Sequence, residues 1–416
     1  MENKLTRKAS TKNNFTSVLL YYFLVFYLIY ARNSMLFGLN SNRTLMNYAK
    51  ISVFIALIII FFVFFVIKKQ KIHLKKFSIF IFLAIILLVG LILNHDSIET
   101  YSLEIITLFL GYILAEYLDF RKVSRIYVNI MIFISSVSLI AYTFADKIIS
   151  LGFFPLIYTS SRNEKFSSLL FTNIPHLANS QARNWGPFVE PGMYQAFLII
   201  AILIALWTCV GRKKLVSIAI FVITLITTKS TAGFIVVPFV FVYYILDRKK
   251  QIKLSKSFYI SIIIILIIYF YSISRDDIFY RVFGKLEEFD NESRWLSTIY
   301  GLEVWIENFF FGVGPRYVQD IIISKHPFGN YVSVTNTWVF NLASYGVFVG
   351  GLYLWGYYQF TKYRSSNRLA RFLLYFLIIL TLSSQNLGGS LFFVYLMFVR
   401  NEKLRLYLPE SRLSDE

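Results

Sequence analysis

Residues 51–94 read ISVFIALIIIFFVFFVIKKQKIHLKKFSIFIFLAIILLVGLILN. Two apolar runs, at 49–67 and 77–93, flank a loop that carries Lys68, Lys69, Lys71, Lys75 and Lys76. Crossing a hydrocarbon core takes about 20 mainly apolar residues in a helix, and Lys and Arg collect in the loops on the cytoplasmic side. The stretch therefore reads as two membrane crossings joined in the cytoplasm. Extending the same reading gives further runs at 15–31, 101–118, 126–145, 187–210, 215–228, 231–246, 257–273, 336–360, 369–383 and 386–399. The expected fold is an all-α, polytopic membrane protein of about 12 transmembrane helices, one membrane domain over 1–416. The first run is expected to be an anchor rather than a cleaved export signal, because more spans follow it. The short pairs at 215–246 and 369–399 could each be a re-entrant hairpin.

The basic residues order these spans. Alternate segments hold Lys4, Arg7, Lys8 and Lys12, the loop at 68–76, then Arg121, Lys122 and Arg125. They continue with Arg212, Lys213 and Lys214, the run 248–256, Lys362, Arg364, Arg368 and Arg371, and the tail from Arg400. These segments take 28 of the 42 basic residues, so both termini are expected in the cytoplasm. The net charge of +19 is then mostly this signal and calls for no nucleic acid. Composition agrees: 57% of residues are hydrophobic and 16% charged, against about 25% charged in a soluble domain.

Several chemistries are excluded. The single Cys209 allows neither a disulfide framework nor a cysteine-based zinc site, and His73, His95, His176 and His326 lack ligand spacing. No phosphate-binding glycine loop occurs, and the cytoplasmic loops are too short for a nucleotide-binding domain. No clustered carboxylates suggest a metal, and no cofactor is implied.

Two long loops, 146–186 and 274–335, are left facing outward, and loops on a rigid scaffold carry function. In the second, Trp295, Ile299, Leu302, Ile306 and Phe309 make one helical stripe, opposite Arg294, Thr298, Glu303 and Glu307. Such a helix either packs on the bundle or shapes an acceptor cleft in the membrane interface. It ends at Phe311-Gly312-Val313-Gly314-Pro315. Arg275, Arg281, Lys285, Arg294, Arg316, Lys325 and His326 concentrate positive charge there, interleaved with acids that could pair with them. The first loop ends Arg183-Asn184-Trp185-Gly186-Pro187-Phe188-Val189-Glu190-Pro191-Gly192. Pro191 and Glu190 suit a helix start without any chemistry; beside Arg183 and Trp185 they equally suit an anion or sugar site.

The pattern R-x-x-G-x-x-x-E-P-G over 183–192 resembles that of Wzy-type polysaccharide polymerases and the related O-antigen ligases. The turn Thr228-Lys229-Ser230-Thr231-Ala232-Gly233, the pair Arg294-Trp295, Gly312-Val313-Gly314, then His326, Asn330, Asn336 and Tyr345-Gly346 continue it in order across 180–350. Lys229 stands where relatives often show Ser-Arg. The resemblance implies a glycosyltransferase of the bacterial plasma (inner) membrane that joins undecaprenyl-diphosphate-linked oligosaccharide repeat units on the outer face, with a chain-length regulator and a flippase as partners. It makes Arg183 and Arg294 the cations that hold the donor diphosphate, with Glu190 or His326 as the base. Lys229, Arg316, Trp185 and Asn336 become substrate-binding residues. Ligation of the finished chain to lipid A-core is the alternative within the same chemistry. Transport is the alternative outside it, but transporters place ionisable groups at mid-membrane, and only Glu104 and Glu116 of one span sit that way.

Overall fold

The computed structural model describes residues 18–31, 34, 55, 58, 74–152, 158–159, 165–169, 172–175, 183–248, 294–326, 334–362, 364–365 and 367–399. The span expected at 257–273, the charged stretch 275–292, His176 and Asn330 lie outside these residues, as does all of 49–67 but Ile55 and Ile58.

Within the described residues, helices overlap the apolar runs. They are α1 (Val18–Tyr30), α2 (Leu74–Asn94), α3 (Ile98–Tyr117) and α4 (Phe120–Thr143), followed by the short α5 (Ala145–Ser150). Next come α6 (Pro191–Thr208), α7 (Gly211–Thr227), α8 (Thr231–Arg248), α9 (Arg294–Glu307), α10 (Val318–Lys325) and α11 (Thr337–Lys362), and finally α12 (Arg368–Ser383) and α13 (Leu391–Phe398). Local chemistry sets their ends. The Asp119 carboxylate accepts the Arg121 N–H at 2.9 Å to start α4, and the Asn367 side chain does the same for Leu369 at 3.0 Å to start α12. Among the described residues, α2 from Phe77, α3, α4, α6 and α11 are long and apolar enough to cross a membrane. Large apolar side chains such as Ile85, Leu88 and Ile92 of α2 and Phe372 and Phe376 of α12 face outward. Patches of this kind are not tolerated in water but are matched by lipid.

The centre of the bundle is α6, buried from Pro191 to Leu206. Its Phe197 continues a ring stack from Phe188 (4.5 Å between centroids) to Phe392 (5.6 Å) and on to Tyr127 (4.5 Å). Of the two doubtful pairs, α7 and α8 have 17 and 18 residues. By contrast, α13 has eight, a rise of about 12 Å, and all eight are buried against α3 and α11. The polar turn 384–390 that precedes it is folded into the protein, where non-helical backbone at membrane depth is tolerated.

Contacts between distant segments fall into two sets. At one end of the bundle Lys213 bonds Asn129 at 3.0 Å, Asn367 bonds the Leu246 carbonyl at 3.1 Å, and the Arg364 guanidinium lies 3.8 Å above the Phe120 ring. These are segments of the basic set. At the other end Ser34 bridges to Phe188, Asn94 reaches the Phe311 carbonyl at 3.5 Å, and the Arg316 N–H reaches Asp96 at 3.3 Å. Among the described residues, these contacts join segments of the basic set to one another and segments of the other set to one another.

Three departures from the sequence reading stand out. The loop 146–186 contains an antiparallel sheet, β1 (Tyr158–Thr159), β2 (Lys165–Leu169) and β3 (Thr172–Pro175) in the order β1-β2-β3, with Phe166 opposite Pro175. The apolar stripe of α9 is not its whole buried face: Gly301 lies against Val339 of α11, Val304 and Ser297 are buried, and Leu302 is partly buried, whereas Ile299, Ile306 and Phe309 stay exposed. Small residues let two helix backbones approach closely.

The third departure is the interruption of α11 at Gly346 (φ 76°, ψ −176°), a conformation essentially reserved for glycine. The turn 309–314 fills the break: Val313 and Gly314 N–H donate to the carbonyls of Ala343 and Ser344, each at 2.9 Å, and Val347 N–H donates to Phe309 at 2.9 Å. A Cβ on Gly346 or Gly312 would overlap backbone of the other segment. The backbone groups freed by the broken helix are satisfied by the loop, as buried backbone demands.

Candidate functional site

At the end away from the basic set, the segment 183–190 lies on the turn between α7 and α8. Arg183 donates from Nε to the Thr228 carbonyl (2.9 Å) and from Nη2 to the Lys229 carbonyl (3.2 Å). A helix C-terminus leaves carbonyls unpaired and carries partial negative charge, so a guanidinium fits it. Lys229 takes a positive φ of 49° to close the turn. Asn184 completes the joint: its N–H donates to Thr227, its amide to Thr227 Oγ1 (2.9 Å) and Ser138 Oγ (3.2 Å), and its Oδ1 accepts the Gly186 N–H. Asn173 of β3 ties the sheet to the same segment through the Gly186 carbonyl at 2.8 Å. Arg183 is therefore fixed on the backbone of the turn that carries Lys229, 46 residues on in sequence.

Trp185 is 6% exposed, so its ring packs inside rather than offering an open face. Glu190 stands at the N-cap of α6 ahead of Pro191, but its side chain makes no capping hydrogen bond. The half-buried carboxylate is thus not consumed by the helix start.

Beneath this group lies a buried polar layer. Ser230 donates to Gln195 on α6; Gly192 packs on the Gln385 side chain; Thr337 donates to the Gln385 carbonyl and accepts the Leu387 N–H at 2.7 Å. Gln195 Nε2 and Asn341 Nδ2 are buried donors with no hydrogen-bond partner among the described residues. Asn336 is the cap of α11, accepting the Val339 N–H on its side chain, and it is 4% exposed.

A second group sits where α10 meets α9. Arg294 opens α9; its side chain lies outside the described residues. His326 Nε2 is 3.0 Å from Glu303 Oε2, its ring stacks on Tyr300 with centroids 3.6 Å apart, and Lys325 pairs with Glu307. Arg316 is exposed on the turn held by Asp96.

The structure thus joins Arg183 to the turn of Lys229, with Trp185 and Glu190 following Arg183 on one segment. His326 belongs to the α9–α10 group, and the start of α11 lies between the two. Sequence reasoning missed Asn184, Asp96, Gln385 and the pairing of Glu303 with His326. Asn184 and Gln385 gave a signal, as amides in short polar breaks between apolar runs; Glu303 was visible on the polar face of its helix, without a sign of its partner. Among the described residues, no group of three or more His, Cys, Asp or Glu could hold a metal ion.

The family described as O-Antigen ligase matches residues 216–354. That stretch runs from α7 into α11 and takes in Lys229, Arg294, Arg316, His326 and Asn336, whereas Arg183 and Glu190 lie before it. The matched third of this multi-pass chain is therefore similar to the O-antigen ligase and polymerase superfamily, whose members are glycosyltransferase-like enzymes acting on lipid-linked saccharides. No curated protein and no solved structure matches the chain.

Proposed function

We propose that the chain is a polymerase that joins polyprenyl-diphosphate-linked oligosaccharide repeat units on the outward face of the plasma membrane. The observation that supports transfer from a lipid-linked saccharide, the part common to a polymerase and a ligase, is the family match over 216–354; the docking of Arg183 on the turn that carries Lys229 is consistent with an anion site there. Among the described residues, basic segments meet away from this group, which supports reading this end as the outward one by the charge rule.

The chemistry follows from the donor. A diphosphate is already a good leaving group, and what it needs is cations where its charge develops. Lys229 supplies a point charge on a fixed turn, and Arg294 and Arg316 supply planar forks suited to phosphate oxygens. The acceptor hydroxyl attacks the anomeric carbon, the bond from that carbon to the phosphate oxygen breaks, and the diphosphate leaves with the electron pair. The hydroxyl proton passes to a base, Glu190 or His326.

A ligase is the second reading, favoured by the description of the matched family. Deleting the chain's gene and running surface glycan on a gel separates the two. A polymerase predicts loss of the ladder with single repeat units still on the surface; loss of all surface glycan contradicts it and favours the ligase.

A further inference from the structure

His326 ends α10, where its N–H closes the helix on Ile322 at 3.0 Å. Its imidazole turns to α9 and is held twice. Glu303 Oε2 lies 3.0 Å from Nε2, and the Tyr300 ring, one turn earlier on α9, lies parallel within 15° at 3.6 Å. One contact limits where a nitrogen points, and the other limits the plane of the ring. Docking α10 on α9 does not need both, since Val318 and Ile322 already bury with Val304, and an exposed ion pair adds only about 0–1 kcal/mol.

We infer that Glu303 is a positioning residue for His326, fixing the tautomer and orientation in which the imidazole takes the acceptor proton; this rests on the transfer proposed above. In this arrangement an ionised Glu303 accepts from Nε2–H, and Nδ1 is the nitrogen that takes the proton. The side chains are 27% and 44% exposed, so the ring can meet a substrate at the surface. In the transfer the acceptor O–H proton moves to Nδ1 as the new C–O bond forms, and the diphosphate leaves with the electrons of the broken bond. The imidazolium formed sits against the Glu303 carboxylate, which stabilises it; a carboxylate behind a catalytic histidine acts this way in unrelated hydrolases. Tyr300 keeps the ring from rotating out of that line.

Two measurements on the full chain test this. In nitrogen-15 histidine spectra of the detergent-solubilised protein, assigned with His326→Ala, His326 is expected as the single Nε2-protonated tautomer, and Glu303→Ala is expected to abolish that preference. A mixed or Nδ1-protonated wild type, or no change in Glu303→Ala, overturns the inference whether or not the chain proves to be a polymerase. In transfer assays Glu303→Ala should lower kcat on the order of a hundredfold with KM little changed. Glu303→Gln, whose amide oxygen still accepts from Nε2, should restore part of the rate. Glu303→Ala should add no loss in a His326→Ala background, and Glu307→Ala, which breaks the neighbouring pair, should keep wild-type rate. Independent, multiplying losses at 303 and 326 overturn the positioning role. A wild-type chain without transfer activity refutes the proposed function instead, leaving the tautomer measurement to decide the role of Glu303.

Discussion

Arg183 spends Nε and Nη2 on the carbonyls that end α7, and this changes what its substitution can reveal. A lysine has no fork to span two carbonyls, so Arg183→Lys is expected to cost about 2 kcal/mol of stability whether or not the residue touches a diphosphate. Arg294 is the discriminating position. If it clamps the donor, Arg294→Lys should lose a hundredfold or more in polymerisation at unchanged thermal stability, measured on purified protein at matched levels. Near-normal activity of Arg294→Lys contradicts the clamp. Glu190 is tested in the same assay. Its carboxylate makes no capping bond, so Glu190→Gln should cost well under about 1 kcal/mol of stability yet stop polymer growth if the group handles the acceptor. Normal polymer from Glu190→Gln would remove it from the site. The types of these residues were legible in the sequence, and their partners were not. The joint of Arg183 to Lys229 spans 46 residues and that of Glu303 to His326 spans 23, and each depends on how helices pack rather than on spacing along one helix.

Helices were legible because an apolar run of sufficient length has few other fates. What escaped were the places where a helix is interrupted or replaced. Gly346 sits in an apolar run that reads as one span, and nothing local says that the turn at 309–314 will fill the gap. The same blindness applied to α9, where Gly301 lies against the neighbouring helix and Ser297 is buried, whereas Ile299, Ile306 and Phe309 of the large stripe stay exposed. The sheet at 158–175 was hidden in a loop short of alternation. Gly346→Ala is expected to destabilise the protein by about 3 kcal/mol, because the positive φ is closed to alanine and its methyl would overlap the Phe310 carbonyl. Gly351→Ala, five residues on in the same helix, meets only Val347 Cγ2 at 4.0 Å and should be neutral or stabilising by up to about 1 kcal/mol. Thermal unfolding in detergent compares them; equal stability of the two variants would contradict the interlock.

For the molecule as a whole, contacts among the described residues sort the segments into two sets, and the charge rule supports reading the less basic set as the one that faces out. Cysteines placed by Asn163→Cys and Asn291→Cys in a Cys209→Ala background should react with a membrane-impermeant thiol reagent in intact cells or spheroplasts, and one placed by Gln70→Cys should not. Labelling at position 70 in sealed cells would reverse the orientation and move the site to the cytoplasm. The most direct measurement gives the purified chain, in lipid bilayers, polyprenyl-diphosphate-linked repeat units alone and resolves the products by size. The account predicts a ladder of repeat multiples with one polyprenyl diphosphate released per bond formed; unchanged single units with an intact, folded chain would contradict it.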